Sequence, residues 1–379
     1  MLNKRILVSA RDAGAAHSLV PVLMMLQHKP DFDLQLVATG PALQIFASAG
    51  LTAQNFSHRA AASSTGENAS HLIKAASDLI ARYKPNLILT GLSGSDAGID
   101  EALHVAAGEK IPTVALQDFW GDVNPVFPQK PDVYLVADRF AADITRQRVP
   151  GVDTFVIGYP KYSDFQDINV DKLRVKNREL LSVSNSQGLA VFFSQPLWDL
   201  AGYRAAFRQL VQCLATTQPN AVFAFRTHPR DTLASIELAN KTIKEFGLQC
   251  ADDQGISSLE ILAACDVSFS AFSLTGLDHL FLQRCASIPI GVPLYLLYDQ
   301  EVLQTFRSYC ALDYMPLSEA GLVETIYDAD HLPQKILDAQ DPAFREQSWK
   351  TCKAHLTCSQ QAISDILHAL ETIMARTCV

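Results

Sequence analysis

Cysteine is missing from the first 212 residues of this 379-residue chain. Cys213, Cys250, Cys265, Cys285, Cys310, Cys352, Cys358 and Cys378 all come later, and none forms a C-x-x-C pair. That distribution excludes a disulfide-dense scaffold and offers no zinc-ligand spacing; reduced thiols are expected. Also missing is any uncharged apolar run of about 18 residues, so no helix is expected to span a membrane. The run at 6–10 is too short for a signal-peptide core, and Arg11 and Asp12 interrupt it. Basic charge is scarce as well: 31 Lys and Arg stand against 40 Asp and Glu, a net charge of −9. A broad nucleic-acid surface needs the opposite balance, so nucleic acid is not an expected partner, although a local basic pocket is compatible with this charge. No D-x-D element stands out as a metal site, and neither a metal nor a cofactor is expected. With 18 Gly and 18 Pro, collagen-like and low-complexity classes are excluded. What remains is a globular chain, 48% hydrophobic and 19% charged, of a length that suits two domains.

Short apolar runs alternate with helical patterns, twice over. Strands are expected at 6–10, 34–38, 87–90, 113–116, 133–136 and 154–157, with helices at 16–26 and 72–83. Lys84-Pro85-Asn86, Ile111-Pro112 and Lys130-Pro131-Asp132 punctuate the entries to three of these strands. After Gly158-Tyr159-Pro160 and a polar helical stretch at 170–181, the pattern restarts. Strands are then expected at 190–193, 221–226, 267–270 and 286–290, and helices at 203–216, 233–246, 259–264 and 275–283. Apolar residues Ile363, Ile366, Leu367, Leu370, Ile373 and Met374 predict an amphipathic tail helix over about 345–375. Continuous apolar strands between helices indicate parallel sheets covered on both faces. The expected fold is therefore α/β: two Rossmann-like domains facing across a cleft, with a C-terminal helix crossing back to the first. The expected domains are 1–160, 161–344 and the tail 345–379.

Ligands of such sheets bind at the carboxyl ends of the strands. In the first half those places hold Gly14, His17, the segment GLSGSD with Asp96, and Asp118, Trp120 and Asp122. Gly14 lets a ligand approach the backbone, and Trp120 offers a face for a sugar. His17, near neutral in its ordinary pKa, is the first choice of general base, with Asp96 and Asp118 behind it. In the second half, FAFRTHPRD delivers Arg226, His228 and Arg230, a phosphate-binding combination of cation and ring donor. Ser194 follows the preceding strand. VSFSAFSLTGLDHL places Ser270, Ser273, Thr275 and Gly276 at a strand-to-helix turn, a ready phosphate site, with Asp278 one turn on for ribose hydroxyls.

In this order the residues resemble GT-B-fold glycosyltransferases and their relatives, the UDP-N-acetylglucosamine 2-epimerases. The resemblance runs along nearly the whole chain and is one of architecture. Lys4 to Pro21 resembles the first strand, turn and helix of these transferases, some of which carry a Gly-His element with His as base; here Ala16 precedes His17. The stretch from Ile111 through Asp138 resembles both families. RTHPRD and SAFSLTG resemble the His-Pro and Ser/Thr motifs of bacterial sialyl-, Kdo- and polyglycerol-phosphate-type transferases. The epimerases carry His-Arg-Arg-Glu-Asn and Ser-Gly-Gly at the corresponding places, and this chain reads His-Pro-Arg-Asp and Ser-Leu-Thr-Gly.

The resemblance implies a metal-independent inverting glycosyltransferase of surface-polysaccharide or glycoconjugate synthesis. Its donor would be a CMP-, CDP- or UDP-linked nucleotide sugar, and its acceptor a glycan or a lipid-linked molecule. A cytoplasmic location is implied, with peripheral association at the inner membrane left open. Two other functions fit the same residues: a UDP-N-acetylglucosamine 2-epimerase or hydrolase, and a non-catalytic nucleotide-sugar-binding protein.

Overall fold

The computed structural model describes residues 4–92, 94, 96–184, 186–310, 312–356 and 360–376. Ser93 and Ser95 of the GLSGSD segment, and Cys358 and Cys378, lie outside them. Two compact units result, one of Met1–Asp164 with Cys358–Val379, the other of Phe165–Thr357.

The first unit is built on strands β1 (Lys4–Ala10), β2 (Phe32–Ala38), β3 (Gln54–Asn55), β4 (Leu87–Thr90), β5 (Thr113–Leu116), β6 (Val133–Val136) and β7 (Asp153–Val156). They form one sheet in the order β3-β2-β1-β4-β5-β6-β7, every pairing parallel. Period-two alternation sends Ile6 and Val8 into one core with Leu19, Val22 and Leu23 of the helix Ala13–Gln27. Leu7 enters the opposite core with Leu72, Ala76, Ile99 and Leu103. Both faces are covered, which is why the strands read as unbroken apolar runs. The chain order reverses between β1 and β4.

The second unit repeats the plan with β8 (Leu189–Phe193), β9 (Val222–Arg226), β10 (Gln249–Cys250), β11 (Val267–Ser270), β12 (Val292–Leu296) and β13 (Glu324–Ile326). Their order is β10-β9-β8-β11-β12-β13, again all parallel, with the reversal between β8 and β11. Leu189, Val191 and Phe193 pack on Ile261, Leu262 and Leu282. On the other face Phe192 meets Phe207 edge to face at 4.9 Å, and Trp198 meets Tyr203 at 5.2 Å. Two Rossmann-like α/β units thus follow one another along the chain.

Two sequence expectations need correction. The strand expected at 286–290 is a loop, with Ile288 56% exposed; the strand is Val292–Leu296. Pro293 sits inside it, opposite Ser268, and a proline within an apolar run argues against a central strand. Just before it the chain passes so close to Cys265 that a Cβ on Gly291 would stand 2.6 Å from the Cys265 carbonyl oxygen. The tail is not one helix but two, Pro342–His355 and Gln360–Arg376. The break falls at Leu356, which turns extended (ψ 121°) while its carbonyl accepts from Arg284 Nε at 2.7 Å. The first of the two helices belongs to the second unit, where Trp349 Nε1 donates to the Ala286 carbonyl (3.2 Å). Only the second joins the first unit, burying Ile366, Ala369, Leu370 and Ile373 in the core that holds Leu19 and Val22. Among the described residues no helix is long and apolar enough to cross a membrane. Cys213, Cys250, Cys265, Cys285 and Cys352 are free thiols.

The tail helix therefore contributes core to a unit whose other elements precede it by some two hundred residues. Truncating the fully buried Leu370 to Ala is expected to cost about 2–5 kcal/mol, the usual range for a buried leucine. The loss should appear in urea unfolding followed at Trp120, in the first unit, and not at Trp198 in the second. Equal loss at both probes would contradict the division.

Candidate functional site

In the first unit, parallel strands deliver three loops to one edge beside the β1–β4 reversal: residues 11–14, then 91–92, 94 and 96–98, then 117–122. The closest approach there is between Gly14 and Asp118. A Cβ on Gly14 would stand 1.9 Å from Asp118 Oδ2, so only glycine lets this carboxylate rest on the first turn of Ala13–Gln27. A helix N-terminus favours negative charge. Burial nevertheless dominates and, with Asp12 repelling, pushes Asp118 up to about 6, against its own backbone hydrogen bond and Lys161. Asp122 is pushed to about 7 by burial and by Asp118, with Arg148 opposing. Asp12 Oδ2 accepts from the Gly94 amide at 2.9 Å, which ties the first loop to the second. Two neighbouring carboxylates tuned toward neutrality are the equipment of general acid–base chemistry.

Beneath them lies a second polar layer. Arg11 Nη1 pairs with Asp96 Oδ1 at 2.9 Å and its Nη2 donates to the Asp96 carbonyl at 2.6 Å. Gly98 leaves room for this guanidinium, since a Cβ there would meet Arg11 Nε at 3.0 Å. Asn124 Nδ2 pins the same loop through the carbonyls of Gly94 and Asp96, at 2.9 and 3.0 Å. Ser9 Oγ donates to the buried Asp100 carboxylate at 2.5 Å. Glu101 accepts from the Gly98 amide at 2.8 Å through Oε2, while its Oε1 has no partner among the described residues. Burial, then Asp100, pushes Glu101 up to about 8. It keeps its proton at neutral pH.

The expected first-unit residues divide accordingly. Asp118 sits at the centre of the carboxylate group, and Asp96 is held in the Arg11 pair. His17 is exposed on the helix that begins at Ala13. Trp120, expected to meet a sugar, is corrected: it is 2% exposed and its indole donates to Asp138 Oδ2 at 2.9 Å. Asp138 caps the helix Arg139–Arg148 and also receives the Tyr159 hydroxyl at 2.7 Å, so the ring is a core strut. Gly14 is required by Asp118 and not by an open approach for ligand. Glu101 escaped notice as a polar residue of a helix start, although Gly98-x-x-Glu101 ahead of an apolar run is the visible signal.

In the second unit the loops after β8, β9 and β11 share an edge in the same way. The Ser194 amide donates to the Arg226 carbonyl (2.9 Å), and Gln195 Oε1 accepts from the Phe272 amide (2.9 Å). His228 is half-buried, and its Nδ1 accepts from the Arg230 amide at 3.1 Å. The neutral ring therefore carries its proton on Nε2. Burial, then Arg230, lowers its pKa, so it donates as a neutral imidazole at pH 7. Ser270 Oγ accepts from the Ser273 amide, and Ser273 Oγ from the Thr275 amide, both at 3.2 Å, at the start of the helix Thr275–Cys285. Asp278 lies on that helix's first turn. Gly276 is explained by packing: its Cβ would meet the Tyr295 hydroxyl at 2.3 Å. Two expected phosphate ligands are otherwise engaged. Arg226 is ion-paired with Asp253 at 2.8 Å, and Ser194 Oγ accepts from the Trp198 indole at 2.8 Å. Arg230 is exposed beside His228. Among the described residues no group of acids, histidines and cysteines could hold a metal ion.

No protein-family model matches this sequence, and no curated protein sequence resembles it. Solved structures do resemble the whole chain. The S. aureus MnaA–UDP co-structure superposes with a TM-score of 0.68 at 12% identity, covering 97% of both chains. UDP-GlcNAc 2-epimerase from Neisseria meningitidis bound to UDP-GlcNAc gives 0.64 at 13% identity, over 97% of this chain and 100% of that one. MurG from Acinetobacter baumannii gives 0.57 at 12% identity, over 95% and 98%. The fold is of the GT-B type. At such identities the likeness extends to the fold alone.

The raised carboxyl of Glu101 has a consequence for stability. Its folded pKa, about 8, exceeds the ordinary 4.5. The folded state then binds the proton more tightly, so its stabilising effect is full below about pH 4.5 and is lost as pH rises through 8. Asp118 and Asp122 act in the same direction over lower windows. The melting temperature should fall between about pH 5 and pH 8, and Glu101→Gln should flatten that fall. Superimposable pH profiles for the two proteins would show that Glu101 is not the proton holder.

Proposed function

We propose that this chain is an enzyme acting on a nucleotide sugar, in which the second unit holds the nucleotide phosphate and Asp118 of the first unit performs proton transfer. The observation that carries the reading is Asp118 seated against Gly14 at the carboxyl edge of β5, raised to about 6, with Asp122 on the same loop raised to about 7. The His228 Nε2–H and the turn at Ser270, Ser273 and Thr275 support the nucleotide half, because ring donors and helix starts both receive phosphate oxygens.

The reaction favoured is glycosyl transfer with inversion. Asp118 removes the proton of an acceptor hydroxyl as that oxygen attacks the anomeric carbon, and the nucleotide leaves with the bond electrons. His228 and the helix start stabilise the charge that collects on the leaving phosphate. Asp118 displaces His17 as the preferred base because the carboxyl rests against Gly14 and is raised toward neutrality, whereas His17 is exposed on the helix surface. Asp96, tied to Arg11, shapes the loop. A glycan or lipid-linked acceptor, polysaccharide biosynthesis and a cytoplasmic setting, with peripheral contact at the inner membrane, belong to this reading.

The same pair favours a second reading, an acceptor-independent epimerase or hydrolase. Two tuned carboxyls side by side can take a proton from a substrate and return one to it. Incubation with UDP-N-acetylglucosamine alone, followed by product NMR, separates the two. Turnover without acceptor supports the second; nucleotide release that needs an added acceptor supports the first.

Asp118→Asn is expected to lower turnover roughly 10²–10⁴-fold with little change in nucleotide binding, the usual size for loss of a general base. Wild-type kcat/KM should climb as pH rises through about 6, because the base acts deprotonated. If Asp118→Asn keeps wild-type turnover while His17→Ala loses it, the base is His17.

His228→Ala should weaken nucleotide binding by roughly 1.5–3 kcal/mol, the range for hydrogen bonds to charged groups. A thermal-shift panel of CMP, CDP, UDP and GDP measures this, since a ligand bound only by the folded state raises its melting temperature. Unchanged affinity in His228→Ala would remove the phosphate role.

A further inference from the structure

We propose that the amino-terminal edge of the second sheet, opposite the strand ends discussed above, carries a separate binding site for the phosphate group of a small ligand. The edge is hollowed by a cavity of about 670 Å³, within the size range of small-molecule sites. Its floor is Asp266, 4% exposed, immediately before β11. This carboxylate accepts from Arg174 Nη2 at 2.5 Å, Arg178 Nη1 at 2.9 Å, Arg345 Nη1 at 3.1 Å and the Leu189 amide at 2.8 Å. Arg174 and Arg178 stand one turn apart on the helix Val170–Leu180, and Arg345 comes from Pro342–His355. One carboxylate facing three guanidiniums leaves a local surplus of two positive charges.

The other bonds of these arginines do not cancel that surplus. They run to neutral acceptors: the carbonyls of Ala264, Ser184, Gln187 and Ala339, and Gln340 Oε1. Carbonyls satisfy N–H groups without neutralising charge. Two acids do line the cavity, Asp171 and Glu179. Glu179 is exposed and screened by water, and Asp171 keeps its charge but accepts from the amide and hydroxyl of Ser287 rather than from a guanidinium. The guanidiniums are only 15%, 8% and 17% exposed and are screened far less. Burial lowers the pKa of Arg345 from the ordinary arginine value, with Asp266 opposing and the charge of Arg174 adding to the fall. A dianionic phosphate relieves that repulsion, and forked guanidiniums match its oxygens. A cavity this large leaves room for the organic part of a phosphate ester.

Inorganic phosphate is the probe, titrated at constant ionic strength with melting temperature as readout, on the full chain. Three proteins are compared: wild type, His228→Ala and Gln340→Glu, the last placing a carboxylate on Arg345 without disturbing Asp266. A saturable rise in wild type and in His228→Ala, absent in Gln340→Glu, is the expected result. If Gln340→Glu does not fold by circular dichroism, Ser186→Glu at the cavity wall takes its place, with the same expectation. No saturable rise in wild type overturns the proposal. So does a rise that survives the added carboxylate, or one lost in His228→Ala, which would put the phosphate at the strand ends. Because His228→Ala is scored separately, failure here leaves the nucleotide-sugar reading intact.

Discussion

A sheet whose strands all run the same way sends every loop that follows a strand to one edge, and both sheets of this protein are of that kind. The arrangement holds only while helices bury both faces, because an uncovered apolar strand has nowhere to hide its side chains. The grouping of the candidate site residues at the strand ends follows from that constraint. Asp12, Asp96, Asp118 and Asp122 come from loops far apart in sequence, and they share an edge because β1, β4 and β5 are parallel neighbours. His228 and Ser270 are gathered in the second unit by β9, β8 and β11 in the same way.

Within each edge, small residues decide how tightly the polar groups assemble. Gly14 admits Asp118, Gly98 admits Arg11, and Gly276 admits Tyr295. These glycines serve close approach between two parts of the protein rather than unusual backbone angles. Gly14 is read from sequence as a turn that lets a ligand approach, and the structure shows that space filled by Asp118.

Much of the fold was legible in the sequence. The strands Leu87–Thr90, Thr113–Leu116, Val133–Val136 and Val267–Ser270 are short apolar runs with breakers or polar residues at their ends, and that pattern has few other solutions. Val292–Leu296 was hidden because Pro293 argued against it, and the division of the tail because Leu356 is held by a distant arginine. The site was legible by position and not by orientation. Loop numbering placed Asp118, His228 and Ser270 at strand ends, but nothing local to Trp120, Arg226 or Ser194 revealed the partners Asp138, Asp253 and Trp198 that occupy them. Such partners lie from four to twenty-seven residues away, across loops whose course only the packed fold defines.

The helix Gln360–Arg376 completes the core of the first unit, yet the ribosome makes it after the entire second unit. A chain grows at about 5–20 residues per second, so the early half waits on the order of ten seconds or more for its missing wall. During that interval the groove around Leu19, Val22 and Leu23 has no lid, while the second unit, contiguous in sequence, can close on its own. Folding order in the cell is thereby inverted: the half synthesised first is finished last. Any lesion that removes the late helix, whether a premature stop or a clipped end, falls on the part of the protein made earliest.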